Sequence, residues 1–215
     1  MVSLFSADST LMRGLTRLAD MMILNLLFLV TSIPVFTLGA SLTALNFTAM
    51  RIGTGECLSV SADYFRSFQQ NFRQATVIAL VLAFLAVVLA AWDQVISALP
   101  LPGEATLALQ AVWYVLAFNL VLTTLFVFPY LARFEGRSVD VLRNALMLAW
   151  RHLPSAVASL AVIAGAVGLT LFYPHATGYG LLWLLLGFSA IAVASGFLFT
   201  RIFQLYIPNT RPDSR

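Results

Sequence analysis

The 215-residue chain is 60% hydrophobic and 10% charged, with a mean hydropathy of +0.92, far from the balance of a soluble domain. All twelve cations are arginines, and a chain without lysine has no Walker A phosphate loop and no Schiff base for retinal or pyridoxal phosphate. Its net charge of +3 reads as arginines gathered in cytoplasmic loops, not as affinity for nucleic acid. The single Cys57 excludes an intramolecular disulfide.

Residues 1–20 read as a short amphipathic helix. Leu11, Leu15 and Leu18 recur at helical spacing, Arg13, Arg17 and Asp20 lie opposite, and Asp8 or Ser9 is placed to cap its start. The apolar run that follows is too long for the core of a cleavable signal and is expected to stay in the protein. This first segment, 21–50, carries no charge and exceeds the roughly 20 residues needed to cross a bilayer. Pro34 and Gly39 in its middle argue against one straight helix.

Beyond Arg51 and a Gly-rich loop, residues 61–73 form a basic amphipathic helix. Phe65, Phe68 and Phe72 make an aromatic stripe, and Arg66, Gln69, Gln70 and Arg73 make the opposite face. It feeds a second apolar segment, 75–92, stopped by Asp93. After the turn-rich 99–104 comes a third segment, 107–130. A second basic stretch follows, with Ser138 as N-cap and an apolar face of Val139, Leu142, Leu146, Trp150 and Leu153. Segments 154–173 and 181–199 complete a single membrane domain of about five spans over 1–215. Asp63-x-x-Arg66 and Asp140-x-x-Arg143 open the two basic helices in similar places, a weak internal repeat that similar loops on one membrane side would also produce.

Arginine counting sets the expected topology. Ten of the twelve lie after segments one and three and in the C-terminal tail, and none lies in the connectors after segments two and four. The C-terminus is therefore expected in the cytoplasm. Five spans place Arg13 and Arg17 on the other side. A re-entrant turn at Pro34–Gly39 would bring all twelve together, but arms of about 13 residues, roughly 20 Å, are too short to cross. The side of the N-terminus stays open.

Several stretches carry a resemblance. Leu4-Phe5, Asp8-Ser9, Leu15 through Asp20, Leu24-Asn25-Leu26-Leu27, Thr31-Ser32-Ile33-Pro34, Thr37 through Leu45 and Phe65 through Thr76 together resemble the YesL-like family of bacterial integral membrane proteins. The likeness is specific over roughly the first 80 residues. The family has no assigned function and is commonly encoded near carbohydrate ABC-transporter genes. The resemblance implies a place in the bacterial cytoplasmic membrane and a link with carbohydrate uptake, and it brings no catalytic residues.

The residues offer few sites. Arg17 can pair with Asp20, with Asn25 about one and a half turns deeper, as a polar pathway or as an interfacial ion pair plus an inter-helical hydrogen bond. Ser32, Pro34, Thr37, Gly39 and Ser41 form a polar knot: either a discontinuous helix turned toward a ligand, with Asn119 and Thr123 facing it, or a kink whose hydroxyls bond back to their own helix. Phe65, Arg66, Phe68, Phe72, Arg73, Arg143 and Arg151 are candidates for anionic lipid or a cytosolic partner. Ala161-x-x-x-Gly165 and Ala164-x-x-x-Gly168 read as helix packing. His152 and His175 fall in connectors on opposite sides and cannot share a metal, and Gly187-Phe188-Ser189 has no histidine in a span to act as base.

The expected protein is thus an all-α polytopic membrane protein without catalytic residues, cofactor or metal. It is expected to be an accessory or regulatory component of carbohydrate uptake, in contact with lipid and with ABC-transporter subunits or further copies of itself. The alternative is a small transporter or channel for a neutral solute such as a sugar.

Overall fold

The computed structural model describes residues 10–100, 102–175 and 178–206. The expected capping residues Asp8 and Ser9, and the tail arginines Arg211 and Arg215, lie outside them. Among the described residues the chain is built of helices: α1 (Thr10–Ser32), α2 (Leu38–Thr54), α3 (Val60–Ala98), α4 (Gly103–Arg133), α5 (Ser138–Arg151), α6 (Leu153–Phe172) and α7 (Phe188–Gln204). A 3₁₀ turn, Val35–Thr37, joins α1 to α2, and a π-helical turn, Trp183–Gly187, leads into α7. All but α5 are long and apolar enough to cross a membrane, so six such helices stand where five segments are expected.

The sixth helix comes from the broken first segment. Its arms are 23 and 17 residues, not about 13. α1 begins at Thr10, so the stretch carrying Arg13, Arg17 and Asp20 is the same helix as the apolar run, and α2 continues through Arg51 to Thr54. At 1.5 Å per residue the arms measure roughly 34 and 26 Å. Gly55, at φ 77°, ends α2 in the left-handed conformation that glycine tolerates.

The basic helix expected over 61–73 is likewise continuous with the segment after it. α3 runs 39 residues, starts at an N-cap Ser59 whose hydroxyl accepts from the Ala62 amide, and passes through Asp93 to Ala98. Its inward face is Val60, Asp63, Tyr64, Ser67, Ala75 and Ile78. On α5 the N-cap position falls on Arg137, without a side-chain cap, and Ser138 is the first helical residue. Its buried face is Val141, Ala145, Leu148 and Ala149, while Val139 and Trp150 of the expected face are exposed. The two halves of the suspected repeat therefore differ. The basic stretch of the first is fused to its apolar helix, and that of the second is broken from α6 at His152, ahead of Pro154.

α2 is the centre of the bundle, packed against α1, α3, α4 and α7. Its sequence explains this position: Gly39, Ala40, Ser41, Thr43, Ala44, Thr48 and Ala49 are all buried. Small side chains let helices approach closely where lipid removes the hydrophobic drive for helix association. Two contacts set its antiparallel register with α3. A Cβ on Gly39 would overlap the Ala75 carbonyl oxygen and come within 2.7 Å of Ala79 Cβ. At the other end Arg51 Nε lies 3.0 Å from Asp63 Oδ2. One core cluster fills the space among α2, α3, α4, α5 and α7, with Phe126 edge-on to Phe199 at 5.0 Å. A second, around Leu24, Leu45 and Tyr64, holds α1.

α6 is peripheral, with Ala156 and Ser159 its buried residues. At the glycines of the Ala161/Gly165 and Ala164/Gly168 pattern no helix packs closely among the described residues: nothing lies within 4 Å of a Cβ built on Gly165 or Gly168.

These two kinds of glycine make a paired prediction. Gly39→Ala should destabilise the protein by about 1–3 kcal/mol, the usual cost of overpacking, seen as earlier thermal loss of the monodisperse species in mild detergent. Gly165→Ala should leave that midpoint unchanged.

Candidate functional site

The polar knot is built by Pro34. Its ring has no N–H and disfavours helical backbone at Ile33, so α1 ends at Ser32. Thr37 then closes the turn. Its amide donates to the Pro34 carbonyl (2.9 Å), and its hydroxyl reaches the Pro34 (2.6 Å) and Thr31 (2.5 Å) carbonyls. The Thr31 carbonyl is one that the end of α1 leaves without an intrahelical partner.

Thr31 is the hub. Its hydroxyl donates to the Leu27 carbonyl (2.9 Å) and accepts from Ser41 Oγ (3.0 Å). With its own proton committed, the 2.5 Å contact to the Tyr64 hydroxyl has tyrosine as donor. Tyr64 is fully buried and Phe68 stacks on it at 6.3 Å. The knot thus fastens α1, α2 and α3 to one another. Its hydroxyls bond both to their own helix and across helices, which neither expected arrangement included, while the Ser32 hydroxyl is buried without a partner among the described residues.

Asn25 forms a second fastener. It is fully buried, and its amide nitrogen donates to the carbonyls of Trp183 (2.9 Å) and Leu184 (2.8 Å) while its oxygen accepts from the Ser189 amide (3.0 Å). These three backbone groups belong to the π-helical turn Trp183–Gly187 and the first turn of α7, where the change of hydrogen-bond register loosens the ladder. The Trp183 ring lies over Gly187, so close that a Cβ there would sit 2.5 Å from the ring. Its indole N–H donates to Thr170 Oγ1 of α6 at 2.6 Å. Ser189 Oγ donates to the Leu186 carbonyl, so the hydroxyl of the Gly-Phe-Ser stretch is also committed locally.

The remaining candidates separate. Arg17 is exposed and does not reach Asp20 as an ion pair among the described residues, and Asp20 is half-buried. Asn119 and Thr123 do not face the knot. Asn119 donates to the Val115 carbonyl (2.8 Å) and accepts from the Trp150 indole (2.9 Å), and Thr123 donates to the Asn119 carbonyl. This bond from the exposed Trp150 joins α5 to this face of α4. Of the aromatic stripe only Phe65 is exposed; Phe68 and Phe72 pack inward, 5.5 Å apart. Arg66, Arg73, Arg143 and Arg151 are exposed, Arg151 resting 5.8 Å over the Tyr206 ring beside the His152–Tyr206 hydrogen bond.

Two regions have chemistry of their own. At one end of the bundle Arg51, Glu56, Arg133, Thr200 and Gln204 surround a cleft of about 30 Å³, the size of a single water. The second is an apolar groove of about 650 Å³, open sideways between α3, α4 and α5. Tyr64 and Trp183 escape a sequence reading because nothing in their own neighbourhoods announces a partner: each meets a residue far along the chain.

Six apolar helices fastened by buried polar side chains define an all-α polytopic membrane protein. Residues 21–92, from α1 to the apolar half of α3, match the model of a family described as a protein of unknown function, DUF624, with which the YesL-like resemblance is consistent. No curated protein and no solved structure matches the chain.

Asn25→Leu should cost at least about 1–3 kcal/mol, since it strands buried backbone groups, and should lower the thermal midpoint in detergent more than Asn119→Leu, whose site is half-buried. Cys57, in the loop between α2 and α3, gives a second test. Burial pushes its thiol up, with the adjoining Asp63 carboxylate and the Asp20 charge adding to it and Arg51 partly opposing, to about 11 from 9.0. Thiolate is the reactive form, so maleimide labelling at pH 8 should be roughly 100-fold slower than for a free cysteine. The rate should rise with pH up to about 11, and Asp63→Asn should speed it.

Proposed function

We propose that the protein is a non-enzymatic accessory component of the bacterial cytoplasmic membrane that docks, through its arginine-bearing end, onto a carbohydrate-uptake system. The observation that carries this reading is the use made of the polar side chains. Asn25, Thr31, Thr37, Ser41 and Thr123 are bonded to backbone or to neighbouring helices. A passage for a neutral solute needs such groups facing an aqueous path; here they act as fasteners.

The arrangement of helix ends supports the docking side. Arg51 and Arg133 meet at one cleft, and Asp20 is close enough to Cys57 to act on its charge. The ends of α2, α4 and α7 therefore gather there, with the start of α3 tied in through Asp63 on Arg51. Six crossings return the chain to its starting side, so Arg13 and Arg17 share the cytoplasmic side with Arg51, Arg66, Arg73 and Arg133, in accord with the positive-inside bias. Exposed Arg66 and Arg73 on α3, flanked by exposed Phe65, form the docking face. The carbohydrate context rests on the YesL-like resemblance.

Co-purification of the tagged protein from its native membrane in mild detergent, followed by mass spectrometry, tests the reading. A carbohydrate ABC-transporter subunit should appear at near-equal amount. Arg66→Gln combined with Arg73→Gln should reduce its recovery on the order of tenfold, the equivalent of about 1.4 kcal/mol of contact, without changing the amount of inserted protein. Recovery of the protein alone, together with sugar flux in liposomes, would overturn it in favour of a transporter.

A further inference from the structure

We propose that the lateral groove between α3, α4 and α5 is a binding site for one anionic phospholipid, with an acyl chain along its apolar walls and the phosphate held by Arg143. The walls are Val81, Leu85 and Leu89 of α3, Leu116 and Leu120 of α4 and Leu142 of α5. From Val81 to Leu89 the α3 wall is about 12 Å long at 1.5 Å per residue. That length accommodates the part of an acyl chain nearest the headgroup.

Arg143 is the feature that selects the occupant. It lines the groove, is exposed and forms no salt bridge among the described residues. A guanidinium among membrane helices is costly unless an anion meets it, and its planar fork suits two oxygens of a phosphate. The polar groups on the same walls are already occupied: Asn119 holds the Trp150 indole and Thr123 is bonded back to its own helix. The groove therefore has one unmatched charge, positive, above an apolar trough.

A second copy of this chain is a poorer match. Among the described residues, Glu56, Glu104, Glu135 and Asp140 lie in connectors or first turns, Asp93 lies near the end of α3, Asp63 is paired with Arg51 and Asp20 is half-buried midway along α1, so a second copy has few acids to bring to Arg143. An anionic phospholipid brings the charge and the apolar chain together in one molecule.

The test is native mass spectrometry of the full chain released from vesicles of equal parts phosphatidylglycerol and phosphatidylethanolamine with the same acyl chains. The protein should retain one phosphatidylglycerol. Arg143→Gln should lower that retention on the order of tenfold, with Arg143→Lys intermediate. Val81→Trp, which fills the trough and keeps the arginine, should lower it as well. Arg137→Gln, outside the groove, should retain lipid as the parent does. Equal retention of the two lipids, an equal loss in Arg137→Gln and Arg143→Gln, or a dimer that excludes lipid would each overturn the proposal.

Discussion

The contact on which the bundle depends is the one between α2 and α3. At one end the Gly39 backbone lies directly on Ala75 and Ala79; at the other, Arg51 meets Asp63. Between these points α2 presents small residues, so its axis can lie close to several neighbours at once. In lipid there is no apolar surface to hide from water, and helix association rests on close van der Waals contact and inter-helical hydrogen bonds. A helix of large side chains in the same place would hold its neighbours apart. Because α1, α4 and α7 also pack on α2, the closeness at Gly39 propagates to the whole arrangement.

Hydrogen bonding supplies the second constraint. Burying a polar group without a partner is costly in such an environment, and at its two irregular places the chain supplies partners through long-range pairs. Asn25 is 158 positions from Trp183 in sequence and takes the carbonyls that the π turn loosens. Thr31 collects Ser41 and Tyr64 around the break that Pro34 makes. The irregular backbone at both places is thereby stabilised from outside its own helix. The broken helix is a joint held by neighbouring side chains.

The surface divides in a way that fits this interior. Cations gather at the helix ends around the Arg51–Arg133 cleft, while the lateral faces are apolar. Arg143 departs from this division because α5 turns back along α4, with Asn144 at the Tyr130 hydroxyl and Trp150 at Asn119. That course places an arginine in the wall of an apolar groove. The turn ahead of α5 therefore creates a place where headgroup chemistry and acyl-chain chemistry meet.

The membrane class, the helical content, the uneven distribution of arginines and the break at Pro34 were all legible from the chain, because each depends on composition or on backbone rules that act within a few residues. The length of the first two helices was not. Arg13, Arg17, Asp20 and Arg51 mark the ends of the apolar run, but charge does not end a helix, and α1 and α2 continue through them to become separate long helices. Nor could periodicity choose the inward face of α3 or α5. Phe65, Phe68 and Phe72 are equally apolar, and only the neighbours supplied by α1 and α2 decide that the last two turn inward. Asn25 and Asn119 are alike in sequence, one residue of amide in an apolar run. Tertiary structure gives the first a loosened π turn to hold and the second an indole, because a hydrogen-bond partner far along the chain is fixed by packing and leaves no local signal.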